Sequence, residues 1–167
     1  MKNWIIISVC VFTVLLSLSA YAAGLGDTIK EVSDQYGGKV GFDDTYYVFS
    51  KPPRLSRIDV DSRKFFGALP TVTEFAKGIK PLLPTDAKLT AAYSKVSPKK
   101  DIYTFKSASL AKLPNIKDGV LGSPPDTFTI YVNYEGERVL NCAISMGLPG
   151  DVDLSGAKKI SKNPFKK

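Results

Sequence analysis

The sequence of 167 residues contains no histidine and only two cysteines. Without imidazole, the protein cannot use serine–histidine–acid or cysteine–histidine hydrolysis, or hold zinc through histidine. Cys10 lies in the apolar amino-terminal stretch, so Cys142 stands alone in the rest of the chain and has no partner for a disulfide or a dithiol redox pair. Its apolar surroundings, VLNCAISM, predict a buried thiol, with a reactive or intermolecular thiol as the alternative. We expect no cofactor.

Acidic residues are absent before Asp27. Lys2 is followed by an apolar stretch that reaches Leu18 and then by an A-x-A pattern that ends at Ala22. This layout predicts a secretory signal peptide over residues 1–22, and hence a periplasmic or extracellular protein. An uncleaved membrane anchor is the alternative, because the stretch is just long enough to cross a bilayer of about 30 Å.

The formal net charge is +7, but most of this excess positive charge lies in the last ten residues of the chain. Besides Lys2, five positive charges belong to the last ten residues: Lys158, Lys159, Lys162, Lys166 and Lys167. About +1 remains for the body, so we expect no specific nucleic-acid partner. Residues 151–167 are predicted to form an unstructured basic tail that contacts an anionic surface, or that is simply solvated.

Two segments, 25–36 and 71–80, repeat apolar residues at helical spacing and carry the T-x-x-E pattern of a capping box. Gly37 is placed to end the first helix. Pro81 ends the second, and Gly78 weakens it.

Aromatic and β-branched segments predict about six strands. They read DDTYYVF, RLSRIDVD, LTAAYSKV, DIYTFKS, TFTIYVNY and RVLNCAISM. Short turns join neighbouring segments, which favours antiparallel pairing. We therefore expect one α+β domain over residues 23–150, with a largely antiparallel sheet and two short helices packed on one face. The long connection 108–126 is predicted to be functional or mobile.

Tyrosines in the strands are the candidate binding residues, because a phenol ring offers a large contact area and a hydroxyl at low entropic cost. They are Tyr46, Tyr47, Tyr103, Tyr131 and Tyr134. The alternative is that they are half-buried sheet residues whose hydroxyls reach the rim of the domain.

Carboxylate pairs are the remaining source of acid–base chemistry, and the strand pair Asp59 and Asp61 shares a face with Arg57. An ion-paired surface is the simpler interpretation, since glycoside hydrolysis needs two carboxyl groups that converge across a cleft. The sequence thus favours a protein that is not an enzyme.

Asp151, Asp153 and Ser155 follow the spacing of the first half of a calcium loop. The second half holds Lys158, Lys159 and Lys162, and these ammonium groups oppose a dication. We predict a turn here and no metal site, with weak calcium binding as the alternative.

The stretches GLGDTIKEVSDQYGG and TYYVFSKPPRLSRIDVD, within residues 24–61, resemble the helix plus hairpin of a group of small exported modules. These are the modules of the β-lactamase inhibitor protein and outer-membrane assembly lipoprotein type, although the lipidated cysteine of the lipoproteins is missing. The resemblance implies a protein-binding module.

We therefore expect an exported binding domain that acts at the cell envelope without catalysis. Its partner would be a protein or an envelope polymer. The alternatives are a carboxylate-dependent envelope enzyme with a cleft beneath residues 108–126, and a structural or assembly factor of the envelope.

Overall fold

The computed structural model describes residues 22–42, 47–48, 52–97, 99–114, 122–150, 154, 157–160 and 163–165. Within them the chain has an α+β fold, in which an antiparallel sheet of seven strands packs against short helices. Within the described ranges, the large sheet therefore has one strand more than the sequence predicts, and there are three α-helices rather than two.

Both predicted helices form, as α1 (Ile29–Tyr36) and α3 (Val72–Gly78). Each begins with a complete capping box, since the threonine side chain accepts a hydrogen bond from the glutamate N–H and the glutamate side chain accepts one from the threonine N–H. These boxes pair Thr28 with Glu31 and Thr71 with Glu74.

A third helix, α2 (Ser62–Phe66), follows directly from a strand and was not predicted. The Asp61 side chain accepts a hydrogen bond from the Lys64 N–H at its start, and Gly67 ends it in the left-handed conformation. The aromatic rings of Phe65 and Phe66 then pack against the hydrophobic core.

The strands are β1 (Val40–Gly41), β2 (Tyr47–Val48), β3 (Arg54–Leu55), β4 (Arg57–Asp61), β5 (Lys88–Ser97), β6 (Lys100–Lys106), β7 (Thr127–Glu135), β8 (Arg138–Met146) and β9 (Lys158–Lys159). In the large sheet they lie in the order β1-β4-β8-β7-β6-β5-β9, while β2 and β3 pair separately. Sequence neighbours β5 to β8 form a meander, and β4 joins it beside β8.

One face of the sheet, called the inner face, carries the core. Ile58 and Val60 of β4 lie opposite Ile144 and Cys142 of β8, and all four are buried. The helix residues Val32 and Phe75, and Ile79 directly after α3, complete the same cluster. The predicted alternation of β4 is confirmed, because Arg57, Asp59 and Asp61 lie on the opposite, outer face and are more exposed.

Among the described residues, the core begins at Ala23, which is 3% exposed and donates its N–H to the Gln35 side chain at 2.6 Å. Leu25 is also buried, and its N–H donates to the Leu82 carbonyl. None of the helices in the described part of the chain has the length and apolar character needed to cross a bilayer. The predicted signal peptide, apart from Ala22, lies outside the described residues.

The described part of the predicted tail contacts both the sheet edge and the core. Strand β9 pairs with β5 in the register Tyr93 to Lys159, and the Ile160 N–H donates to the Ala92 carbonyl. Phe165 then packs edge-on against two rings of the inner face. Its ring centroid lies 5.1 Å from that of Tyr103 and 5.4 Å from that of Phe105. The edge of β5 offers unpaired backbone groups and the core offers an aromatic contact, and together they stabilise the chain end.

The segment after β8 covers the outer face over the meander. The Gly147 N–H donates to the Thr127 carbonyl, and the Thr129 hydroxyl donates to the Gly147 carbonyl at 2.8 Å. Thr129 and Ile102 are fully buried although they lie on the outer face. The cover leaves the outer face open toward β4 and β1, where the candidate site lies.

Candidate binding groove

The open part of the outer face forms a concave groove of about 380 Å³. Its polar lining includes Arg57, Asp59, Asp61, Asn133 and Asn141. Gly41 and Ala143 are among its apolar lining residues, and Lys39 and Lys64 also lie along it. We call these nine residues the outer groove.

The pairing of three strands brings the polar residues together. Asp61 of β4 lies opposite Asn141 of β8, and Asn141 lies opposite Asn133 of β7. Asp59 lies opposite Ala143 in the same way. Because directly opposite residues in an antiparallel sheet project from the same face, the register alone builds two polar rows.

Arg57 and Asp59 form a planar ion pair on β4. The Arg57 Nε lies 3.1 Å from both carboxylate oxygens of Asp59, and one terminal guanidinium nitrogen lies 2.9 Å from Oδ1. Since both carboxylate oxygens accept these hydrogen bonds, Asp59 is positioned to bind rather than to exchange a proton. The ion-paired surface predicted for Asp59 is confirmed.

Asn133 and Asn141 form an amide pair in the next row. The Asn133 Nδ2 donates to the Asn141 Oδ1 at 2.7 Å. One asparagine contributes a donor and the other an acceptor, so the Asn133 oxygen and the Asn141 NH₂ group have no hydrogen-bond partner among the described residues. The pair therefore presents an acceptor and donors to the groove.

The second aspartate of the predicted carboxylate pair has a structural role. Asp61 Oδ1 accepts a hydrogen bond from the Lys64 N–H at 3.1 Å and starts α2. Asp59 and Asp61 thus share a face as predicted, but one is bound to a guanidinium and the other caps a helix. This arrangement does not provide the acid and base that glycoside hydrolysis requires.

The described binding tyrosines do not form one surface, because Tyr103 and Tyr134 meet at Asp101 while Tyr131 lies on the other face of the sheet. Tyr103 is 2% exposed on the inner face, where its hydroxyl and that of Tyr134 both donate to Asp101 Oδ2 at 3.2 and 2.8 Å. Tyr131 is half-buried on the outer face, opposite Ala143 and therefore beside the outer groove. The structure gives only the backbone pairing of Tyr47, and Tyr46 lies outside the described residues.

Burial raises the pKa of the Tyr103 and Tyr134 hydroxyls, and the nearby Asp101 carboxylate raises the pKa of both further. Burial also raises the pKa of Tyr131, partly offset by a hydrogen bond from the Gly150 backbone. All three hydroxyls therefore remain protonated donors at neutral pH. The half-buried alternative considered for the tyrosines describes Tyr131 and Tyr134 best.

Cys142 is buried on the inner face, in agreement with the core interpretation. Burial raises the pKa of its thiol, so the reactive thiolate is disfavoured. Among the described residues, no group of three potential metal ligands comes together. Asp151, Asp153 and Ser155 lie outside the described residues.

A second, smaller depression of about 180 Å³ lies where the predicted enzyme alternative places its cleft. Ser109, Leu110 and Leu113 line it together with residues near the start of the folded body. Asp27 is the one carboxylate among its described lining residues, and its Oδ2 accepts a hydrogen bond from the Gly24 N–H.

Two of the predicted tail lysines, Lys158 and Lys159, are exposed on β9 at the sheet edge. The apolar residues of the same segment, Ile160 and Phe165, are partly buried and pack against the core. Lys162, Lys166 and Lys167 lie outside the described residues. An anionic surface would therefore meet the described part of this segment through its lysines, with its apolar residues turned inward.

Sequence reasoning missed the two asparagines. Their signal was present, because asparagine is depleted in strands and both residues stand within strongly β-forming segments. Asn133 and Asn141 also lie on either side of the short turn at Gly136 and Glu137, so the hairpin of β7 and β8 brings them together. Polar residues at facing positions of a predicted hairpin are therefore candidate binding residues, as tyrosines are.

Comparisons of the chain with models of known protein families, with curated proteins and with solved structures found no significant match.

Proposed function

We propose that this protein is an exported, non-enzymatic binding domain of the cell envelope, with the outer groove as its binding surface. The observation that carries the proposal is a concave polar site whose aspartates are already engaged, Asp59 by Arg57 and Asp61 by the start of α2. Such a site suits recognition, because convergent polar groups orient a ligand without supplying an acid, a base or a nucleophile.

The amino-terminal sequence and the packing of Ala23 support export. The A-x-A pattern predicts cleavage after Ala22, and Ala23 is the first residue of the core cluster. Removal of residues 1–22 would therefore leave the core complete. The groove faces away from Ala23, since the latter packs with the inner face.

The proposal is tested in the producing cells with the full-length chain. Fractionation should place the protein outside the cytoplasm, and amino-terminal sequencing should begin at Ala23. The recovered protein should sediment with isolated cell envelopes, and replacing Asn133 and Asn141 by alanine should reduce the sedimented fraction severalfold. A cytoplasmic, uncleaved protein would contradict the export part of the proposal.

A matched control replaces Lys30 by glutamine and Asp34 by asparagine, which removes an exposed ion pair on α1, far from the groove, and should leave sedimentation unchanged. Loss of sedimentation in the control as well would contradict a role for the groove. Soluble fragments released from envelopes by the protein would show catalysis and overturn the non-enzymatic assignment.

A further inference from the structure

We infer that the ligand of the outer groove is a carbohydrate chain of the envelope. This inference rests on the proposed function and names the chemistry of its ligand. Three properties of the groove carry it, namely its hydrogen-bonding groups, its charge and its size.

The hydrogen-bonding groups match the hydroxyls of a sugar. A sugar hydroxyl both donates and accepts, and neighbouring hydroxyls on one ring are spaced to bind both ends of a planar polar group. The Asn133–Asn141 pair offers an acceptor and donors side by side, and the Arg57–Asp59 pair adds a planar guanidinium and carboxylate one row away. Each pair is held by its own hydrogen bond, so little side-chain entropy is lost on binding.

The charge of the groove favours a ligand without strong charge. Arg57 is matched by Asp59, and Asp61 lies near the exposed Lys64, whose backbone it caps. Lys39 adds one further cation at the groove wall. A nucleic acid or a polyphosphate would need several unmatched cations here, whereas an uncharged sugar needs none.

The size and surface of the groove favour a sugar over a folded protein. Its volume of about 380 Å³ lies within the usual range of small-molecule sites, about 300 to 1,000 Å³. A protein interface is usually centred on buried aromatic or arginine anchors. None of the described lining residues of the groove is aromatic, and its Arg57 is already paired with Asp59. Gly41 and Ala143 keep part of the groove flat, and half-buried Tyr131 stands beside it, where its ring can contact the apolar face of a sugar.

The inference is tested by nuclear magnetic resonance on the mature, isotope-labelled protein. Tetramers of N-acetylglucosamine and of α-1,4-linked glucose serve as two soluble carbohydrate probes, with a tetraalanine peptide as the non-carbohydrate probe. At least one sugar should shift the side-chain amide signals of Asn133 and Asn141 and the backbone signals of Gly41 and Ala143 saturably. The peptide should not. Because the map is made on the unchanged protein, it does not depend on a variant that folds.

Replacing Asn141 by alanine should weaken sugar binding at least tenfold, while the Lys30 and Asp34 control should bind as the unchanged protein does. If neither sugar moves the groove signals, or if the shifts lie elsewhere, the inference is wrong. Groove-dependent sedimentation with envelopes in the same protein would then preserve the proposed function and direct attention to a ligand that is not a carbohydrate.

Discussion

At the scale of single residues, Gly24 lies directly against the backbone of Leu82. A Cβ atom added there would lie 2.3 Å from the Leu82 carbonyl oxygen and 2.6 Å from its carbon, far inside van der Waals contact. The neighbouring Leu25 N–H donates to the same carbonyl, so the two backbone segments cannot separate without losing that hydrogen bond.

We therefore expect Gly24→Ala to lower the free energy of unfolding by about 2 kcal/mol or more, the range of an overpacked site. Thermal unfolding should show a Tm lower by at least about 4 °C. Gly38→Ala is the control, because a Cβ at Gly38 meets nothing within 4 Å. Equal Tm values for the two variants would contradict the close approach at Gly24.

Gly78 lies within α3 although glycine is unfavourable inside a helix. Helix propensity correctly marks it as unfavourable within α3. The structure adds the reason for its presence, because a Cβ at this position would lie 2.2 Å from the Phe66 ring. Phe66 belongs to α2, which was not predicted from the sequence. The residues around Gly78 therefore could not reveal that a ring would pack against it.

At the scale of elements, Asp86 joins the start of β5 to the turn that follows β6. Its carboxylate accepts hydrogen bonds from the Ser107 hydroxyl at 2.5 Å, the Ser109 hydroxyl at 2.8 Å and the Ser109 N–H at 2.9 Å. Partial burial of Asp86 raises its pKa, but these hydrogen bonds outweigh that effect and leave the pKa below its ordinary value.

A lowered pKa in the folded state means that ionised Asp86 stabilises the fold above the unfolded pKa, about 3.9, and that this stability is lost as the pH falls through the folded pKa. Asp86→Asn should thus cost about 1 kcal/mol at pH 6 and progressively less below pH about 4. Urea unfolding at pH 6 and at pH 3 measures the two differences.

Asp34→Asn, on the exposed side of α1, should change stability by less than about 0.5 kcal/mol at pH 6 and serves as the control. An Asp86→Asn penalty that stays constant or grows toward acid pH would show that the carboxylate is not the group that ties these elements.

The sequence predicts elements well where the signal is local. Two capping boxes and the hairpin of β7 and β8 follow from residues within a few positions of one another, and all form. Strands β1 and β9 have only two residues each, and they exist because β4 and β5 offer them an edge. Helix α2 has five residues, too few to display a helical period.

At the scale of the whole molecule, the chain end is part of the domain. Lys158 and Lys159 pair with β5, and Phe165 reaches the inner face beside Tyr103 and Phe105. We expect Phe165→Ala to lower the unfolding free energy by about 1 to 2 kcal/mol, less than for a fully buried phenylalanine because Phe165 is half-buried.

Urea unfolding of Phe165→Ala, compared with Lys159→Ala at the exposed edge, measures this contribution. The lysine variant should be within about 0.5 kcal/mol of the unchanged protein. A phenylalanine variant as stable as the lysine variant would mean that the end of the chain adds nothing to the fold, as the sequence alone suggested.

The outer groove could not be predicted from the sequence because it depends on the pairing of strands that lie far apart along the chain. Its charged residues come from the first half of the chain and its asparagines from the second, and only the pairing of β4 with β8 makes them neighbours. Each strand is recognisable in the sequence, but its partner across the sheet is not. The aspartates and the arginine were therefore identified, while the site that they form was not.

The same pairing orders events during synthesis. Asp61 meets Asn141, almost half the chain later, so while the ribosome is still adding the meander, β4 has only the two residues of β1 beside it. In the meander from β5 to β8, each strand pairs with the next one along the chain. Forming these pairs therefore costs less loop-closure entropy than pairing β4 with β8. Strand β4 can therefore complete its pairing only after β8, which ends at Met146, has been made.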